Sequence, residues 1–114
     1  MTTIGHVFIP LDRAHDGISP MGADRSRFEG LSIPLAVWEA FEARLSDRLS
    51  ELSEGVVDRN QEFRFEAGHV HAMIAVIEAE ALTVAPELRD WLTSLAALAR
   101  RAADRHVGVA FVVS

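Results

Sequence analysis

The sequence predicts an α+β fold: a four-stranded antiparallel sheet with two helices on one face, in the ferredoxin-like order β-α-β-β-α-β. Three observations predict it. Two stretches, Leu35 to Val56 and Leu88 to Ala102, place large apolar residues every three or four positions, as amphipathic helices do. The two ends, Ile4 to Leu11 and Val107 to Val113, are short, apolar and rich in β-branched residues. Between the helices, Phe63-Arg64-Phe65-Glu66 alternates with the two-residue period of a strand.

The first strand is closed by Pro10, which has no N–H for a ladder. Asp12 to Ser32 then carries Gly17, Pro20, Gly22 and Gly30 and reads as one long irregular loop, of a length that usually has a function. Ser32-Ile33-Pro34 has the residues of a helix start. Leu35, Trp38, Phe41, Leu45, Leu49, Leu52 and Val56 form the apolar stripe that follows, and Gly55 stands where a C-terminal cap belongs.

The segment His69 to Ala79 fits two periods. As a strand it puts Val70, Ala72, Ile74 and Val76 on one face and His69, His71, Met73, Ala75 and Ile77 on the other. As a helix it buries Val70, Met73, Ile74 and Ile77 but leaves a second apolar face of Ala75, Val76 and Ala79. The strand is favoured, because Ala67-Gly68 can turn it against Phe63–Glu66 and no capping residue precedes it. The alternative is an α+β sandwich in which residues 69–82 are a third helix. In the favoured topology the first and third strands are central. Thr83 to Pro86 opens the last helix, with Glu87 at its positive end and Arg100, Arg101, Arg105 and His106 at its negative end. Trp38 and Trp91 fall within the stripes and are expected as core anchors.

The 114 residues form a single domain, with 49% hydrophobic and 25% charged residues. There is no Cys, which removes disulfides, thiolate metal sites and Cys nucleophiles. All 11 basic residues are Arg, so Lys Schiff-base chemistry is absent too. No uncharged run exceeds the 11 residues of Ala67 to Ile77, which is too short for a membrane span. The N-terminus does not read as a signal peptide, so a cytoplasmic location is expected. A net charge of −6 argues against direct nucleic-acid binding and for a basic partner.

Three groups of residues are candidates for function. Glu39, Glu42, Asp47, Glu51 and Glu54 make the first helix acid-rich against Arg44 and Arg48, a surface suited to a basic protein. His69 and His71, two apart on a strand, would share a face, and His6 could join them around a ligand or metal, although no cofactor is implied. Asp12, His15 and Asp16 lie in the long loop, where Asp12 is placed to orient His15 as an acid–base pair. Glu78 with Glu80, and the Arg100, Arg101 and Arg105 cluster, read as solvated faces and dipole complements. No phosphate-loop, dinucleotide, nucleophile-elbow or zinc-helix motif is present.

Both sheet faces of the expected fold are apolar, so something must cover the second one. A homodimer, the chain's own loop or a foreign partner could do so, with the homodimer favoured. The expected function is a small acidic interaction module blocking a basic partner surface, with the size and charge of immunity proteins, antitoxins and phage-encoded inhibitors. The alternative is a small dimeric α+β-barrel enzyme or small-molecule binder, with a cavity lined by His6, His69, His71 and Met73.

Overall fold

A computed structural model describes residues 2–20, 25–53 and 62–113. The fold is α+β, with four antiparallel strands in the order β2-β1-β4-β3. The strands are β1 (Thr3–Pro10), β2 (Phe28–Pro34), β3 (Glu62–Phe65) and β4 (Val109–Val113). The helices are α1 (Leu35–Ser50), α2 (Val70–Ala81) and α3 (Pro86–Arg105). Along the chain the order is β-β-α-β-α-α-β, which is not ferredoxin-like. No helix of the described residues is long and apolar enough to cross a membrane.

Two segments differ from the expected fold. Residues 70–81 are helix, so the third-helix alternative is the observed one. Val70, Met73, Ile74 and Ile77 are all buried, the i, i+3, i+4, i+7 stripe of a helix seated on a core. The fourth strand comes instead from the end of the expected loop. Phe28 to Pro34 pairs along nearly the whole of β1, with Phe8 opposite Gly30 and Pro10 opposite Phe28. The central strands are therefore β1 and β4, not the first and third.

The other two helices lie close to where the stripes put them. Pro34 caps α1, so Ser32 belongs to β2 and not to a helix start. Trp38, Phe41, Leu45 and Leu49 are the buried face of α1; Gly55 and Val56 fall outside the described residues. α3 has Pro86 at its first position and ends where His106 adopts a left-handed backbone, φ 58°. All three helices share one core with Val7, Ile9, Phe63, Phe65, Val109 and Phe111, so they lie on one face of the sheet. The Phe111 ring stacks on Phe63 at 4.8 Å and Phe41 at 5.8 Å. Trp91 is buried, and its indole N–H donates to the Ser32 carbonyl at 2.9 Å, fastening α3 to β2.

The second sheet face carries the even-numbered residues of β1, β3 and β4, including His6, Phe8, Glu62, Arg64, Ala110 and Val112. Phe8 is only 7% exposed there, edge-on to Phe28 and beneath the Arg25 guanidinium. The β1–β2 connection folds over one end of this face. Asp16, Gly17 and Ile18 border the same recess as Phe8, Arg64 and Ala110, and Pro20 is buried. Ser19 donates to the Glu62 carboxylate at 2.9 Å, reaching the far edge strand. The chain's own loop thus supplies part of the cover expected from a partner.

Candidate functional site

α1 presents its acids opposite its apolar stripe. Glu39, Asp47 and Glu51 are exposed and Glu42 is half-buried at the margin; Glu54 lies outside the described residues. Helical spacing produces this arrangement, because the buried residues recur at 38, 41, 45 and 49 and leave the other side to water. Among the described residues these four acids have no ion-pair partner. Arg48, on the same helix, reaches across to Glu80 at 3.8 Å instead.

Several other acids are engaged. Glu29 of β2 accepts from Arg101 Nε at 2.6 Å with one oxygen and lies 3.0 Å from Arg105 Nη1 with the other. Glu78 pairs with Arg100. The arginine cluster at the end of α3 is therefore bound to carboxylates from β2 and α2, beyond any complement to the helix dipole. Glu29 is not among the sequence candidates, and only the β2 pairing brings it to Arg101.

The loop residues form two separate contacts. Asp12 Oδ1 lies 2.7 Å from His15 Nδ1 and also accepts the His15 backbone N–H at 3.2 Å. That hydrogen bond to the ring holds the Asp12 carboxyl below its ordinary pKa. The pair is the orienting half of an acid–base arrangement, with His15 against the edge of Phe28. Asp16 is not part of it. Its Oδ1 accepts the Gly108 N–H at 2.9 Å and faces Arg64 Nη2 at 3.5 Å. Asp16, Arg64 and Glu66 border a polar cleft of about 480 Å³ with Gly17 and Gly68.

The histidines do not converge. His69 ends a short 3-10 turn and His71 is in the first turn of α2, so two positions apart they diverge by about 200° around the axis. Both are exposed. His6 stands on the outer sheet face, stacked on Phe8 at 5.6 Å. Met73 is in the core on the opposite side of the sheet, so the four residues line no common cavity. Among the described residues no three His, Cys, Asp or Glu side chains cluster as metal ligands would.

No family model, curated protein or solved structure matches the chain. The fold and the charge distribution define a small α+β domain in which four acids of α1 and its C-cap lack an ion pair among the described residues, as do Glu62, Glu66, Glu87, Asp90 and Asp104 elsewhere.

Proposed function

We propose that the chain is a protein-interaction module that presents the outer face of α1 to a basic partner, in the manner of immunity proteins, antitoxins and phage-encoded inhibitors. The observation that carries the reading is the placement of the α1 acids. Asp47 and Glu51 are like charges one turn apart, and Glu51 is the C-cap, where the helix dipole disfavours negative charge. Acids kept where they cost stability, while Arg48 pairs elsewhere, support a surface whose counter-charge comes from another molecule. The partner is a protein and not a nucleic acid, given the net charge of −6. The setting is the cytoplasm, where a small cysteine-free chain needs no disulfide staples.

The mechanism is steric and electrostatic blockade. Exposed acids raise the encounter rate with a basic surface within a Debye length of about 8 Å, and the docked helix then occludes that surface. Affinity capture with the wild type and with a Glu39→Gln, Glu42→Gln, Asp47→Asn, Glu51→Gln variant tests this. A basic protein retained by the wild type at low salt, and lost both with the variant and at high salt, supports the reading. Equal retention by the variant overturns it.

A further inference from the structure

The polar cleft at the junction of β3 with α2 contains hydrogen-bond donors that the chain leaves unsatisfied. It holds about 480 Å³ and is bordered by Asp16 and Gly17 of the β1–β2 connection, Arg64 of β3, and Glu66, Ala67 and Gly68. The Arg64 side chain is only 25% exposed, and a guanidinium has five N–H donors to place. Among the described residues its one partner is Asp16, 3.5 Å from Nη2, the far limit of a hydrogen bond. Arg64 Nε is buried with no acceptor, and Nη1 has none either. The Asp16 oxygen in that contact is already held by the Gly108 N–H at 2.9 Å. Glu66 is exposed and has no ion pair among the described residues.

We infer that this cleft binds the carboxylate and ammonium of a free amino acid, the carboxylate on Arg64 and the ammonium on Glu66. A planar guanidinium with open donors suits a carboxylate, which can accept from both Nη atoms. Glu66 is two residues along in extended backbone, so the two side chains rise from one face about 6–7 Å apart. Both are long, and a ligand of amino-acid size can touch both. A simple anion would meet Asp16 and Glu66 as like charges, and a simple cation would leave the Arg64 donors unmet. A zwitterion answers both. The two glycines leave the space for it. Gly17, at φ 85°, brings bare backbone beside Arg64 Nη1, and a Cβ on Gly68 would meet nothing within 4 Å. The site uses none of the α1 acids, so it stands or falls apart from the α1 reading.

Amide shifts of Gly17, Ala67 and Gly68 in the full chain, titrated with L-alanine, test the inference, with acetate and ethylamine as half-ligands. L-Alanine should shift these amides saturably, and each half-ligand should bind at least about tenfold more weakly, the scale of one lost charge contact. Glu66→Gln should weaken L-alanine about tenfold without weakening acetate, whereas Arg64→Gln should weaken both. Gly68→Leu, at a position whose backbone is not left-handed, should fill the cleft and abolish binding while circular dichroism shows the fold intact. Amides that do not shift with L-alanine up to about 50 mM overturn the inference, since that corresponds to less than about 2 kcal/mol of binding. So does acetate binding as tightly as L-alanine, which would mark an anion seat alone. Undiminished L-alanine binding in Glu66→Gln or Gly68→Leu overturns it as well, and neither variant removes a contact on which the fold depends.

Discussion

The Asp16 carboxylate accepts the backbone N–H of Gly108 at 2.9 Å, across 92 positions of sequence. One acceptor thereby fixes the β1–β2 loop to the turn that leads into β4, and places a negative charge against Arg64. Asp16→Ala should cost about 1–2 kcal/mol in chemical denaturation, because it removes a charged acceptor from a half-buried amide. Gly108→Ala should cost about 1–3 kcal/mol by a different route. An added Cβ would sit 2.5 Å from the Phe65 carbonyl, so backbone at the β3–β4 join must move. A loss-free Asp16→Ala would mean that the loop does not depend on this tie.

Acid should act on the other end of the same loop. The His15 hydrogen bond lowers the folded-state pKa of Asp12 below its unfolded value. A carboxyl shifted down stabilises the fold above its unfolded pKa, and that contribution is lost as pH falls through the lower, folded one. Carboxyl carbon shifts in an NMR titration should show Asp12 ionising below the ordinary Asp range. His15→Ala should return it to that range, and an unchanged midpoint in His15→Ala would refute the assignment.

Glu29 holds two arginines of α3 at once, one through each oxygen. Glu29→Gln should destabilise the protein by about 0.5–1 kcal/mol, the scale of partly exposed pairs. A cycle with Arg101→Gln should give a coupling energy of the same size at low salt, shrinking as salt is raised. No coupling at low salt would mean that the pair contributes nothing to the α3–β2 contact.

How far these relationships can be read from sequence depends on the residue. The α1 and α3 stripes are legible because only one period fits them, and so are the α1 acids opposite the stripe. β2 is hidden by Gly30, which reads as a loop residue, and by Pro34, which reads with Ser32 and Ile33 as a helix start. Gly30 lies opposite Phe8, where a Cβ would come within 3.2 Å of the ring. Pro34 is the last residue of an edge strand, a position that tolerates it. α2 passes for a strand because alanines on its outer side make the two-residue and the helical periods fit alike. No side chain caps its start, so the local helix signal is absent as well. The expected histidine face disappears with that strand. The Glu29–Arg101 pair spans 72 positions, and nothing local in the sequence announces it.

Glu51 separates the electrostatics of folding from those of binding. It follows the last residue of α1 as the C-cap, one turn beyond Asp47, so both the dipole and its neighbour oppose its charge. Glu51→Gln should therefore raise unfolding free energy by about 0.3–1 kcal/mol at low salt. The same change should slow association with the basic partner several-fold at low salt, while high salt brings wild type and variant together in both measurements. A residue serving stability alone would move stability down on neutralisation and leave the association rate untouched. The proposed surface requires the opposite signs, and a Glu51→Gln protein that is less stable, or that binds as fast as wild type at low salt, would show that α1 is a solvated face and nothing more.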